Sequence, residues 1–208
     1  MKILAISDQV VERLYTLSSG GHFQDVELIL GCGDMPYEYL EYLVTILNVQ
    51  MFYVPGNHDP KHDLRNEESI AEGGTNLDLK IMRHNKFLIG GFGGSIRYRP
   101  DGTNQYTQSD AYARAFRLLP RLVLNHLQYG RALDILISHS PPFGIHDASD
   151  PAHQGLKALN WLMRIARPRY LFHGHMHLYK RNLENTETTI GLTKIINVYP
   201  YKAMEVSH

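Results

Sequence analysis

Cysteine is nearly absent: Cys32 is the only one among 208 residues. A single thiol cannot close an internal disulfide, so no disulfide framework holds this chain and nothing marks an oxidising compartment. It also excludes a thiolate zinc site, which needs paired cysteines. An excess of one charge is missing as well, because 21 basic residues balance 21 acidic ones. Broad binding to nucleic acid draws on surplus Lys and Arg, so nucleic acid is not an expected partner. No apolar run reaches the ~18 residues of a membrane span, and MKILAISDQ lacks the apolar stretch of a signal peptide. A cytoplasmic protein without membrane contact is expected, and the oligomeric state is left open. Repeats, low-complexity tracts and linkers are also missing, so residues 1–208 read as one domain.

What the sequence does hold is histidine, 12 in all, and a recurring pattern. Five polar clusters each follow an apolar run. Asp8 follows KILAIS, Gly33-Asp34 follows VELILGC, Gly56-Asn57-His58-Asp59 follows QMFYVP, His139 follows LDILIS, and Gly174-His175-Met176-His177 follows PRYLFH. Short apolar runs rich in β-branched and aromatic residues read as buried strands. The polar residues therefore fall where strands end, which in sheets flanked by helices is where ligands bind.

The elements between these clusters alternate. Strands are expected at 2–7, 26–30 and 50–54, and helices at 10–18 and 37–47, the latter opening after Pro36. This βαβαβ order implies parallel strands with right-handed crossovers. Residues 60–76 read as loop with a short helix near Glu67–Ala71. Two short strands at 79–83 and 86–91 turn at Asn85. A helix over 109–128 should be kinked or divided by Pro120. A strand at 133–138, a helix at 155–167 and a strand at 169–173 follow. The tail from 178 to 206 alternates apolar and polar residues and reads as an antiparallel meander.

Taken together, Asp8, Asp34, Asn57, His139, His175 and His177 are hard oxygen donors mixed with imidazoles. Three His are too many for a Ca²⁺ or Mg²⁺ cage, and the mixture suits Mn, Fe, Zn, Co or Ni. Taken singly, each Asp or His has a plainer reading as a turn residue; it is the ordered set that points to a metal. His146, Asp147, Asp150 and His153 lie just beyond His139 and could line an entrance. Arg97 and Arg99 could meet a phosphate. Tyr37, Tyr39 and Tyr42 read as helix packing, Cys32 as a small buried residue and His173 as a strand side chain.

ISD ending at Asp8, GCGD ending at Asp34, GNHD at 56–59, SHSPP around His139 and GHMH at 174–177 resemble, in this order, the motifs of calcineurin-like metallophosphoesterases, and the stretch from His139 resembles the phosphodiesterase-like members. The resemblance implies an α/β fold, a four-layer αββα sandwich of two mixed β-sheets flanked by helices. It implies one or two divalent transition-metal ions, with Mn, Fe or Zn the candidates. Asp8 and His177 would hold the first, Asp34 would bridge, and Asn57, His139 and His175 would hold the second. His58 would give a proton to the leaving oxygen and Asp59 would orient its imidazole. The implied reaction is hydrolysis of a small-molecule phosphoester, above all a phosphodiester, by in-line attack of metal-bound hydroxide. One departure stands out: the family reads Asp-x-His at the first motif, and this chain has Val10 in the third position. Water or Gln9 could fill the gap. The alternative is a metal-binding scaffold or interaction module with weakened catalysis.

Overall fold

The computed structural model describes residues 1–61, 63, 65, 69–177 and 186–208. In chain order its elements begin with β1 (Lys2–Ile6), α1 (Glu12–Ser19), β2 (Leu28–Gly31), α2 (Tyr37–Leu47), β3 (Gln50–Tyr53) and β4 (Gly74–Asn76). Then come β5 (Ile81–His84), β6 (Phe87–Phe92), β7 (Ser95–Ile96), β8 (Gln105–Tyr106), α3 (Gln108–Phe116) and α4 (Leu119–Tyr129). The rest are β9 (Ile135–Ser138), α5 (Lys157–Ala166), β10 (Tyr170–His173), β11 (Glu187–Ile190), β12 (Thr193–Asn197) and β13 (Tyr201–Glu205).

Strand order is β13-β1-β2-β3-β4 in one sheet and β11-β12-β10-β9-β6-β5 in the other, with β7 and β8 forming a small separate pair. Strands β1 to β4 run parallel, as do β6, β9, β10 and β12, while the edge strands β13, β11 and β5 are antiparallel. Side chains alternate across each strand, and the alternation sorts them into three cores. Ile3, Ala5, Leu28 and Leu30 face Ile89, Ile135, Ile137, Phe172 and Ile196 between the sheets. Leu4, Ile6 and Ile29 point outward to Leu14, Leu40 and Leu43 of α1 and α2. Leu136, Leu171 and Ile195 point outward to Ala111, Leu122 and Leu159 of α3, α4 and α5. Two sheets packed face to face with helices outside make the four-layer αββα sandwich that the motifs imply.

Pro120 divides the expected long helix rather than kinking it. It lies in the first turn of α4, where its missing N–H is not needed, and α3 starts from a Thr107–Asp110 capping box. The tail departs from a meander. β11 and β12 form a hairpin around Gly191, but β12 pairs parallel with β10, and β13 crosses to pair with β1 in the other sheet. Residues 178–185 lie outside those described, as do 67 and 68 of the expected short helix.

Candidate metal centre

All five predicted segments deliver their polar residues to one place, the carboxyl ends of β1, β2, β3, β9 and β10. The turns that do so are strained. Asp8, Asp34 and His175 have φ of 65°, 55° and 66°, in the left-handed region that non-glycine residues seldom occupy. Glycine makes the close approach possible. A Cβ on Gly33 would sit 2.6 Å from His139 Nδ1, and one on Gly174 would collide with Asp8 Oδ2.

His139 is fully buried at the centre. Its Nδ1 lies 2.9 Å from the Cys32 carbonyl oxygen, which can only accept, so Nδ1 carries the proton. Its Nε2 is left facing Asn57 Oδ1 at 3.0 Å, His175 Nδ1 at 3.1 Å and Asp34 Oδ2 at 3.3 Å. His175 is fixed the same way, with Nε2 donating to the Ala152 carbonyl at 2.8 Å, so its inner atom is Nδ1. When both rings are neutral, two imidazole lone pairs, an amide oxygen and a carboxylate oxygen converge with no hydrogen among them. Such a set calls for a cation. Ligand atoms of Asp34, His139 and His175 lie within 4.8 Å of one another. Imidazoles whose outer N–H groups are held by carbonyls are also what metal ligation requires. The donor chemistry therefore fits a divalent transition-metal ion.

Asp8 and His177 sit at the edge of this group. Asp8 Oδ1 is 3.6 Å from His177 Nε2, and Asp8 Oδ2 accepts the backbone N–H of His175 at 2.9 Å. The His177 ring stacks on Tyr199, centroids 4.7 Å apart. The pKa shifts follow this crowding. Burial opposes charge on Asp34, yet His139 outweighs it and brings the carboxyl down to about 2. Burial, then the His139 charge, takes His175 down to about 4. The hydrogen bond to Asp8 raises His177.

Two positions beside the first motif have partners of their own. Gln9 Oε1 accepts the Tyr199 hydroxyl at 2.6 Å, so this oxygen is already engaged. Val10 packs against the core between the first sheet and its helices. Asp59 is held by backbone amides. Its Oδ2 accepts the backbone N–H of Gly56 at 2.7 Å and of Asp34 at 2.8 Å, locking the two ligand loops together. Burial, only partly offset by the Gly56 N–H, pushes its carboxyl up to about 6. His58 is exposed, and its backbone N–H donates to Asp34 Oδ1 at 2.7 Å.

A cavity of about 450 Å³ opens over the centre, lined by Asp8, Asp34, Asn57, His175 and His177 together with His58, Tyr98, Arg99, Ala152 and His153, while His139 lies buried beneath it. Of the expected entrance residues only His153 reaches it. His146 is tied to His173 at 2.9 Å and Thr188 at 2.8 Å, and Asp147 accepts the N–H groups of Gly144 and Gly155. Asp150 accepts the Ala152 and His153 amides and pairs with the His153 ring at 2.8 Å. Arg97 pairs with Asp110 at 3.4 Å, whereas Arg99 faces the cavity.

Two residues that pattern reading missed hold this wall in place. Tyr98 Oη accepts from Asn57 Nδ2 at 3.3 Å, and Asn104 Nδ2 donates to the carbonyls of Gly56 and Asp59 at 2.9 and 3.1 Å. The signal for Asn104 was faint: a turn-type residue before a short strand, held here at φ 51°.

Comparison with known proteins agrees with this architecture. The protein MJ1162 of Methanocaldococcus jannaschii, itself uncharacterized, is 25% identical over 212 residues, covering 96% of this chain and 88% of the relative. The crystal structure of TT1561 of Thermus thermophilus superposes with a TM-score of 0.59 at 17% identity, covering 95% of this chain and 88% of that one, a likeness of fold alone. The sequence model of the calcineurin-like phosphoesterases matches residues 1–179, the span that contains every one of these motifs, and the chain belongs to that family.

Proposed function

We propose that this protein is a metal-dependent phosphoesterase acting on small phosphodiesters. The observation that carries the reading is the convergence of Asn57, Asp34 and His175 on His139 Nε2, with both imidazoles locked from behind by carbonyls. Asp34, Asn57, His139 and His175 would hold one ion, and Asp8, Asp34 and His177 a second. Such ions supply Lewis acidity toward phosphoryl oxygens and make water nucleophilic near neutral pH.

The chain's own groups supply the rest. His58 stands at the cavity rim, where its imidazole can protonate the leaving oxygen; its backbone tie to Asp34 fixes that position. Arg99 is the one guanidinium among the described lining residues. Beyond the ions, one guanidinium suits the singly charged diester, whereas the doubly charged monoester would gain from a second. A second cavity meets the first at Asp34 and His58, which leaves room for two ester arms.

Turnover of bis-p-nitrophenyl phosphate and p-nitrophenyl phosphate with Mn²⁺ tests this. The diester should be hydrolysed faster, and chelation should abolish both rates. An inert protein that still binds metal would instead be a scaffold.

A further inference from the structure

Behind the metal centre, the turn that carries His175 is held by a chain of side chains that the catalytic roles above leave unused. The Met176 N–H closes back on the Gly174 carbonyl at 2.8 Å, so His175 is the central residue of a three-residue turn, with φ 66°. Turns of this positive-φ kind are rare and strained. The peptide between Gly174 and His175 is gripped at both ends. Asp8 Oδ2 accepts its N–H at 2.9 Å. At the other end, His173 Nδ1 lies 3.0 Å from the Gly174 carbonyl oxygen. That oxygen can only accept, so Nδ1 carries the proton. His173 Nε2 is then a lone pair, and it faces His146 Nδ1 at 2.9 Å. His146 Nδ1 must donate, which leaves His146 Nε2 to accept the Thr188 hydroxyl at 2.8 Å.

Every proton from Thr188 to Gly174 is thereby assigned, and all four ring nitrogens have a partner. His173 is fully buried and His146 half-buried. Burial lowers both imidazoles, His173 to about 3, in keeping with two neutral rings. Buried imidazoles cost more than apolar side chains of the same size unless each bond is made, so packing alone does not account for the pair. The loop after β9, the end of β10 and the edge strand β11 each supply one member of the chain. His146 adopts φ 57° in that loop, with its ring centroid 5.1 Å from that of His173. The same loop grips the ligand a second time, because its Ala152 carbonyl accepts His175 Nε2 at 2.8 Å.

We infer that His146 and His173 are positioning residues for the metal centre. The inference rests on the metal-dependent reading above. Neither residue is among those described as lining the cavity, so both act through His175. His146 acts by locking a tautomer: a His173 ring whose Nε2 accepts a bond must keep its proton on Nδ1. That proton fixes the Gly174 carbonyl, and the carbonyl fixes the peptide plane that enters His175. The plane and the Ala152 bond together aim His175 Nδ1 at His139 Nε2, where the donors converge. Without the His146 donor, His173 is free to move its proton to Nε2 and release the carbonyl. The strained turn then keeps only Met176 on that oxygen, and the ligand loses its set direction.

The full chain, treated with chelator, is titrated with Co²⁺, whose visible bands respond to the number and angle of its ligands. Calorimetry gives the affinity, and turnover of bis-p-nitrophenyl phosphate is followed at saturating Mn²⁺. His146→Leu keeps bulk and removes the donor. His146→Asn keeps a donor nitrogen close to the place of Nδ1 and suits the left-handed backbone. His146→Leu should bind Co²⁺ about tenfold more weakly, as loss of a group that orients a ligand does, with shifted visible bands. Its kcat should fall with KM little changed, since neither ring meets the substrate. His146→Asn should restore most of the affinity and the bands. Thr188→Val, on an edge strand, tests the chain where His146→Leu fails to fold, and should weaken Co²⁺ binding in the same direction by less. A His146→Leu protein of lower Tm but unchanged affinity and bands makes the pair a prop for the fold and overturns the inference. So does His146→Asn that binds no better than His146→Leu. Wild type that binds Co²⁺, with the variants ranked as expected, yet hydrolyses no ester loses the phosphoesterase reading and keeps the positioning pair. Wild type that takes up no Co²⁺ overturns both.

Discussion

His139 donates its Nδ1 proton to the carbonyl of Cys32, and this one bond decides which face of the ring meets the cluster. Cys32 lies in the turn after β2, while His139 follows β9 in the opposite sheet. The bond therefore ties the two sheets together at the point where their ligands converge. The thiol takes no part; burial, then the Asp8 carboxylate, pushes it above its usual range. Cys32→Ala keeps the carbonyl and should preserve metal content. His139→Ala should lose the metal and leave Asp34 without its neighbour. Elemental analysis of both variants checks this, and metal retained by His139→Ala would sink the assignment.

The same ring sets the pH dependence of loading. Burial opposes its charge, but the Asp34 and Asp8 carboxylates outweigh burial and hold the imidazolium up to about 10, from an ordinary value of 6.5. Because the folded value lies above the unfolded one, this charge stabilises chelator-treated protein fully below about pH 6.5. That contribution is lost as pH rises through about 10. An ion needs the Nε2 lone pair and must displace the proton. Apparent affinity should therefore rise about tenfold per pH unit between roughly pH 7 and 10, with one proton released. Calorimetry in buffers of different ionisation enthalpy reads the proton directly; affinity flat across this range would contradict it.

His58 is the residue for which rate and metal content should part company. No ring atom of His58 belongs to the tight Asp34–His139–His175 group. His58→Ala should lower the rate about 10²–10⁴-fold on esters with poor leaving groups, and less on nitrophenyl esters, with metal content unchanged. Loss of metal would make it a ligand instead.

The strand ends and the donors after them were legible because each strand is a compact apolar run broken by Gly, Asp, Asn or His. The three buried cores follow from alternation within those runs. Asp59 was less legible. Its neighbour in sequence is an imidazole, but its partners are backbone amides of Gly56 and Asp34, and Asp34 is 25 residues away. Asn104 is farther still from the Gly56 carbonyl it binds, at 48 residues. Such bonds are set by how loops meet, which spacing does not encode. β13 shows the same limit: alternation marks it as a strand, but the sheet it joins depends on the crossing at Val198–Pro200.

Asn104 offers a test of the wall that carries Tyr98 and Arg99. Its amide holds two carbonyls of the GNHD loop, and its φ of 51° suits asparagine better than alanine. Asn104→Ala should cost about 1–3 kcal/mol of stability, since two carbonyls lose their donor. KM should rise more than kcat falls, because Arg99 loses its fixed position while the ligand residues stay tied through Asp59. Thermal unfolding and steady-state kinetics measure the two effects, and a variant with unchanged Tm and KM would show that the loop is held otherwise.

Val10 marks where the first motif departs from the family, and the fold turns the departure into a prediction about metals. Val10 packs half-buried against the helix-side core, and the neighbouring Gln9 oxygen is taken by Tyr199. On the proposed assignment the first position would therefore draw on Asp8, Asp34 and His177 from the described chain, with His177 partly exposed. The second would draw on Asp34, Asn57, His139 and His175, mostly buried. Fewer and more exposed donors bind more weakly, so mild chelation should remove one ion before the other. Val10→His looks like a repair, but this side chain lies against the helix-side core. The imidazole would be half-buried against apolar side chains, at a cost of about 1 kcal/mol. Metal content should not rise, and Tm should fall. A Val10→His protein that held two ions per chain with unaltered Tm would mean that residues 8–10 can turn toward the site, and that the weaker position lacks only a ligand.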